Sequence, residues 1–289
     1  TGRSQCVMIG RSLSGVKQLN YGVPQGSPLS CVLFLMYVGD LPEWVKQGHL
    51  QGYADDTIHH VEANTEEEAI RKLEEEAKNI LAFFASNDLL ANPTKTAFLM
   101  LRPTKSSPEK QAKVILNGTS IEESISERIL GIQIQRDLRW DEQVCKVLSK
   151  VNYGLSILRQ LQGLMRRNAL KMIAEGIIMS HIRYGICIYL SAAIQMSSED
   201  QVNSNLTKLQ VKQNDAMRII LNKKRADKVS IKDMLNKCNM TSINRTTAIA
   251  VLSETWRAQR YEIEPIISGF KTDQSQRHGP SYRTTANPY

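Results

Sequence analysis

Residues 45–61 read Val-Lys-Gln-Gly-His-Leu-Gln-Gly-Tyr-Ala-Asp-Asp-Thr-Ile-His-His-Val. The upstream half is a loop running into a short strand, and Thr57 to Val61 is β-branched and alternating. Two such runs predict a tight β-hairpin with Asp55 and Asp56 at its tip. Carboxylates held side by side repel unless a cation or water compensates. Oxygen ligands in that setting suit Mg²⁺, which takes one or two carboxylates together with water and substrate phosphate. The plainer alternative is an acidic turn, since Asp is a common turn residue. His59 and His60 follow at once, but adjacent strand residues point to opposite faces. They are read as strand structure rather than as joint ligands of one ion.

Upstream, residues 5–9 and 16–21 look like strands joined by a loop over 10–15. Then comes Gly22-Val23-Pro24-Gln25-Gly26-Ser27-Pro28. This density of Gly and Pro forbids regular structure and lets backbone pass close to a ligand. Ser27 and Pro28 read as N-cap and first residue of a helix running to about Gly39. That helix is nearly all apolar, which predicts burial. A loop ending on a helix N-terminus favours a phosphate or sugar edge nearby. An ordinary loop before a core helix is the alternative.

Downstream, Thr65 and Glu68 form a capping box. Ile70, Leu73, Ala77, Ile80, Leu81 and Phe84 then recur at helical spacing up to about Ser86. Glu66, Glu67, Glu68, Glu74, Glu75 and Glu76 are read as the solvated face of that helix. Lys95 opens a strand over 96–101, and 102–113 is a polar loop. Asn117-Gly118 is a strong hairpin turn, and 128–135 alternates around Gly131 as a further strand. Residues 1–135 thus predict an α+β arrangement, a sheet layer with helices behind it.

From Trp140 the pattern is helical. Val144, Val147, Leu148, Val151, Leu155 and Leu158 form one face, with Lys146, Lys150 and Tyr153 on the other. Arg166, Arg167 and Lys171 follow, and no acid lies between Lys146 and Lys171. A basic face with an aromatic suits a phosphate backbone; a solvated helix face is the alternative. Further helices are expected near 208–222, 231–235 and 243–259, and the polar stretch 271–289 is expected to be disordered.

Composition narrows the classes. At 289 residues the chain holds one large or two ordinary domains, and a net charge of +8 points to an anionic partner, nucleic acid first. The five cysteines are scattered without zinc-type spacing. That implies reduced thiols and an intracellular setting, cytoplasmic or nuclear. No signal peptide and no bilayer-length apolar run is visible, so no membrane partner is expected.

In their order, Gly22-Val23-Pro24-Gln25-Gly26-Ser27-Pro28-Leu29-Ser30, the apolar helix and Tyr53-Ala54-Asp55-Asp56 resemble the palm of a reverse transcriptase. The likeness is to LINE-type (non-LTR) retrotransposon enzymes. Asn92-Pro93-Thr94-Lys95-Thr96 resembles the next family motif, and Ile129-Leu130-Gly131-Ile132 the strand that grips the primer. Tyr184-Gly185 and Gln213-Asn214-Asp215-Ala216-Met217-Arg218 resemble the region beyond the palm. The resemblance covers about residues 3–265. It implies an incomplete polymerase palm over 1–138, an antiparallel sheet with helices on one face. An all-helical thumb-like region over 139–265 and a disordered tail over 266–289 follow.

The resemblance implies an RNA-directed DNA polymerase that adds deoxynucleotides to a primer 3′-hydroxyl with two Mg²⁺ ions. Asp55 and Asp56 would be metal ligands, and Tyr53 would lie beside the primer end. Gly22, Pro24, Gln25 and Gly26 would meet the templating pair or incoming nucleotide. Lys95 would give a proton or positive charge to departing pyrophosphate. Gly131 would let the primer backbone approach. Lys146, Lys150, Arg166, Arg167 and Lys171 would hold the duplex by its phosphates without reading sequence. The partners implied are an RNA template, a DNA primer and deoxynucleoside triphosphates.

The family pattern also carries a third carboxylate, on a strand upstream of the glycine loop. Residues 1–39 contain no Asp or Glu, and Asp40 matches the linker before Leu41-Pro42 instead. The fingers and the residue that excludes ribonucleotides find no counterpart either. The expectation is weak Mg²⁺ binding and no polymerase activity from this chain alone, as a truncated gene product or a decayed copy. Intact Gly26, Asp55, Asp56 and Lys95 favour the former. The alternatives are a non-catalytic, maturase-like RNA-binding palm and thumb, or a nonfunctional remnant.

Overall fold

A computed structural model describes residues 2–24, 26–102, 111–191 and 203–260. Gln25 and the expected tail over 266–289 lie outside the described residues. The chain divides into two compact units, Thr1–Ile125 and Ser126–Tyr289. It is α+β: helices mixed with small antiparallel sheets.

The first unit opens with one long hairpin of β1 (Arg3–Gln5), β2 (Met8–Ile9), β3 (Ser12–Leu13) and β4 (Lys17–Leu19). The expected loop over 10–15 is tighter than its composition suggests. Ile9 pairs with Ser12, so only Gly10 and Arg11 make the turn, with Gly10 at φ 63°. Helix α1 (Pro28–Tyr37) starts where Ser27-Pro28 predicts, with Ser27 as N-cap. Its burial does not follow: only Ser30 is buried, and Met36 is 74% exposed. A helix apolar on every side needs cover on every side, and no described element packs closely along this one.

After α2 (Leu41–Trp44), strands β5 (His49–Tyr53) and β6 (Asp56–His60) form the predicted hairpin. Helix α3 (Glu66–Ser86) follows, its N-cap Thr65 Oγ1 accepting from the Glu68 N–H at 3.2 Å, one half of the expected capping box. Asn117 (φ 45°) and Gly118 (φ 79°) then turn β7 (Lys113–Leu116) into β8 (Thr119–Glu122), as Asn-Gly predicts. Helix α3 is the spine of the unit. Ile80 and Phe83 bury Leu41 with Val45 and Leu50, while Ile70 and Leu73 pack against Phe98, Met100 and Val114. The expected strand over 96–101 reduces to a single bridge, Phe98 to Glu123. Phe98 and Met100 are buried at period two, so the segment is extended without a ladder. Nor do the strands build the expected sheet layer: among the described residues they pair only two by two.

The second unit begins with β9 (Ser126–Ile129) and β10 (Ile132–Gln135), a hairpin where the alternation of 128–135 reads as one strand. Helices α4 (Asp141–Leu161) and α5 (Arg167–Ala174) follow. A π-helical turn (Glu175–Met179) runs on into α6 (Ser180–Arg183), then α7 (Ile186–Tyr189), α8 (Ser204–Ile220), α9 (Ile231–Cys238) and α10 (Ile243–Arg260). The stripe predicted on α4 is the core: Val144, Val147, Val151, Leu155 and Leu158 are buried against α5, the π turn and α8. No helix of the described residues is long and apolar enough to cross a membrane.

Candidate catalytic hairpin and nucleic-acid groove

In the β5–β6 hairpin Tyr53 pairs with Asp56, leaving Ala54 and Asp55 as a two-residue loop. Ala54 sits at φ 53°, a left-handed conformation that a residue with a Cβ adopts at a cost of about 1–2 kcal/mol. Asp55, Asp56 and Tyr53 are all exposed, and neither carboxylate is in an ion pair among the described residues. The tip therefore presents two exposed carboxylates that have no ion-pair partner among the described residues.

The base of the hairpin is clamped. Gly48 is at φ 80°, and a Cβ there would lie 2.3 Å from the His60 carbonyl oxygen. The Lys46 and Gln47 N–H groups donate to the Glu76 carboxylate at 2.9 and 3.1 Å, and Asn79 Nδ2 donates to it at 3.3 Å. His59 Nε2 lies 2.8 Å from the Gln47 carbonyl oxygen. Glu76 is thus a correction to the solvated acidic face. It is fully buried, and its place three residues after Leu73 and four before Ile80 puts it on the apolar stripe. His60 takes a different partner from His59 and stacks on His49 with ring centroids 4.9 Å apart. Partial burial, then the neighbouring His49 and His59, hold the His60 pKa below 6.5 against the opposing pull of Glu62.

The glycine loop folds on itself. Gly22 and Gly26 have φ 81° and 80°, and Cβ atoms there would meet open space, so backbone conformation alone calls for glycine. Arg3 Nη2 donates to the Gly22 carbonyl, and Ser30 Oγ to that of Pro24. Lys95 ends a 3₁₀ turn (Pro93–Lys95) rather than opening a strand. Asn92 closes it: its side-chain oxygen accepts from Thr94 N at 3.0 Å and Thr94 Oγ1 at 2.7 Å, and its carbonyl from Lys95 N at 3.1 Å. The Lys95 side chain is exposed.

Two exposed carboxylates suit the donor set of Mg²⁺ in part. No group of three His, Cys, Asp or Glu that could hold a metal ion occurs among the described residues. An ion on Asp55 and Asp56 would complete its shell with water and substrate oxygens.

In the second unit the turn between β9 and β10 is Leu130 (φ 46°) and Gly131 (φ 86°). A leucine held there costs on the order of 1–3 kcal/mol and persists only where neighbours enforce it. Side chains pin the hairpin to α4. Gln133 N–H donates to Gln143 Oε1 at 2.9 Å, Gln133 Nε2 to Ser126 Oγ at 2.9 Å, and Ser126 Oγ to Glu142 Oε2 at 2.7 Å. Lys146 Nζ donates to Gln133 Oε1. A groove of about 630 Å³ lies beside this contact, where Gly131, Lys146 and Lys150 come together with Arg128, His181 and Tyr184. A second groove of about 560 Å³ shares Lys150 and His181 and adds Tyr153.

Arg166, Arg167 and Lys171 do not line either groove. Arg167 Nη2 donates to the Lys237 carbonyl and Lys171 Nζ to that of Asn239 at 3.2 Å. Both thereby satisfy the C-terminus of α9, where cations are favoured. Arg128, His181 and Tyr184 escape a reading of charge runs because they come from β9 and the α6 segment, both outside α4. The Tyr184-Gly185 break in the helical pattern is the one local signal.

Residues 4–140 match the family described as reverse transcriptase (RNA-dependent DNA polymerase). A Drosophila melanogaster protein named "Probable RNA-directed DNA polymerase from transposon BS" is 28% identical over 226 residues. That match covers 74% of this chain and 24% of the relative, so the chain spans about a quarter of the relative's length. No solved structure matches significantly. The glycine loop, the Asp55-Asp56 hairpin, the Asn92 turn and the Leu130-Gly131 turn all fall inside the matched stretch. Residues 4–140 are thus similar to the reverse transcriptase family, with motifs that resemble those of its LINE-type members.

Proposed function

We propose that the chain is part of an RNA-directed DNA polymerase of a non-LTR retrotransposon, which extends a DNA primer on an RNA template. Residues 1–138 are its partial palm and 139–265 its thumb-like helical region. The observation that carries the reading is the pair of exposed, adjacent carboxylates at a hairpin tip whose base is clamped from α3. Asp55 and Asp56 would hold Mg²⁺ together with water and substrate oxygens. The metal ions, when bound, stabilise negative charge on the attacking and leaving oxygens of phosphoryl transfer. Tyr53, opposite Asp56, lies beside the primer end. The loop carrying Gly22, Pro24, Gln25 and Gly26 positions the templating pair and the incoming deoxynucleoside triphosphate. Lys95, exposed on its turn, supplies charge or a proton to pyrophosphate. Gly131, Lys146 and Lys150 take the duplex backbone. Arg166 adds a surface cation, and Arg167 and Lys171 offer only the donors that α9 leaves over.

The third carboxylate that the family resemblance implies is not found in residues 1–39, so this chain by itself extends primers poorly or not at all. A non-catalytic RNA-binding role is the second reading, favoured by the lack of a three-ligand group among the described residues. Primer extension on an RNA template with Mg²⁺ separates them, using this chain and a form lengthened upstream. The catalytic reading expects extension by the longer form and its loss on Asp55→Asn. Extension that survives Asp55→Asn refutes it.

A further inference from the structure

The groove on the second unit holds more than a basic helix face. Lys146 and Lys150 stand one turn apart on α4, Arg128 comes from β9, and His181 and Tyr184 come from the segment of α6. No carboxylate is among the side chains that line it. The neighbouring groove continues past Lys150 and His181 to Tyr153. Two tyrosines, 71% and 58% exposed, therefore flank the cations. Cations flanked by exposed aromatics fit a phosphodiester chain better than an acidic peptide, because sugars and bases offer faces for the rings.

Two backbone devices build this groove. The π turn Glu175–Met179 inserts a wide turn just before Ser180 and re-aims the residues that follow it. Gly154 lets α4 lie against that turn, since a Cβ there would be 2.8 Å from Ile178 Cγ1 and 3.0 Å from the Ile177 carbonyl oxygen. Tyr184 then reaches the β9–β10 turn. Its hydroxyl donates to the Leu130 carbonyl at 2.6 Å, and its ring edge lies 3.4 Å from where a Gly131 Cβ would be. Gly185, at φ 67°, lets Ile132 close in beside it. Leu130 is held left-handed at the one place where a tyrosine hydroxyl meets its carbonyl.

We propose that Tyr184 is the positioning residue of the Leu130-Gly131 turn. Arg128, Lys146, Lys150 and His181 around it form a seat for the backbone phosphates of a nucleic-acid duplex. The proposal deepens the functional reading above and rests on it for the identity of the ligand. The Tyr184 hydroxyl spends its proton on Leu130, so it shapes the seat rather than binding phosphate. Arg128 and Lys150 each contribute one phosphate contact.

The test is binding of a fluorescently labelled RNA·DNA hybrid to the full chain, followed by anisotropy over a range of KCl. Affinity falls with salt because phosphate contacts release counterions. Lys150→Ala and Arg128→Ala are each expected to lower the slope of log affinity against log salt by about 1. Tyr184→Phe keeps the ring and removes one hydrogen bond. It is expected to weaken binding about two- to tenfold, to leave the salt slope as it was, and to speed amide exchange at Gly131 and Ile132. Wild-type affinity in Tyr184→Phe overturns the positioning role. A steep wild-type slope that Lys150→Ala and Arg128→Ala leave unchanged places the seat elsewhere, and refutes this proposal without touching the functional reading. Salt-insensitive binding by the unaltered chain refutes both.

Discussion

Replacing Glu76 tests the idea that the carboxylate hairpin is held from α3. The Glu76 side chain is fully buried and accepts the N–H groups of Lys46 and Gln47 at 2.9 and 3.1 Å. Hydrogen bonds to a charged acceptor contribute about 1.5–3 kcal/mol each, so the pair has a ceiling of about 3–6 kcal/mol. Burying the carboxylate offsets part of that, and both amides are near enough to the surface to regain water after its removal. A net loss of about 2–4 kcal/mol is expected for Glu76→Ala. Glu76→Gln keeps one carbonyl acceptor but sets an NH₂ against the second N–H, and should cost about half as much. The assay is native-state hydrogen exchange at Lys46, Gln47 and the β5–β6 amides, because a chain of two units need not unfold in one step. Faster exchange at those positions, spreading into the hairpin, is expected. Glu75→Ala is the control. Glu75 is exposed and, among the described residues, pairs with Arg71 at 3.4 Å, so a change within about 0.5 kcal/mol is expected there. Unchanged exchange at Lys46 and Gln47 in Glu76→Ala would refute the clamp.

Three further outcomes follow from neighbouring contacts. Gly48→Ala sets a Cβ 2.3 Å from the His60 carbonyl oxygen at φ 80°. It should open the hairpin base at a cost of at least about 1–3 kcal/mol, read as lost β5–β6 amide protection. Arg102 holds the buried Glu123 with two bonds, one of 3.0 Å, and reaches Glu66 at 2.6 and 3.1 Å. Arg102→Met should destabilise the first unit in denaturant unfolding by about 2–4 kcal/mol, since it removes two charged hydrogen bonds from a buried carboxylate that also accepts the Ala112 N–H at 3.1 Å. His60 is held below its ordinary 6.5 mainly by burial. The unfolded chain therefore binds its proton more readily, and the stability it contributes is present above pH 6.5 and is lost as pH falls through the folded value. Protection at the hairpin base should drop on acidification below 6.5, and His49→Ala should flatten that dependence.

Local signals carried much of this structure. A threonine N-cap three residues before a glutamate started α3 where it starts, because the cap satisfies an N–H that the helix cannot. Asn117-Gly118 turned where it had to, since both residues tolerate positive φ. The second hairpin turn was hidden for the opposite reason. Leucine is a poor left-handed residue, so Leu130-Gly131 advertises a turn only through its glycine, and its other support, Tyr184, lies 54 residues away. The apolar run of α1 spelled a helix correctly and a buried one incorrectly. Hydrophobicity states a need for cover, whereas packing partners come from elsewhere in the fold.

By itself the sequence determined the hairpin with its paired carboxylates, the glycine loop running onto a helix, and the stripe of α4. Each is a matter of residues within a few positions of one another, where backbone preference and period decide. The tertiary structure alone decided which acids and cations remain available. It buried Glu76 under the hairpin and spent Arg167 and Lys171 on the end of α9. It also gathered Arg128 from β9 and His181 and Tyr184 from the α6 segment around Lys146 and Lys150. A side chain's chemistry is written in its identity, but its partners are set by which surfaces the packed core brings face to face.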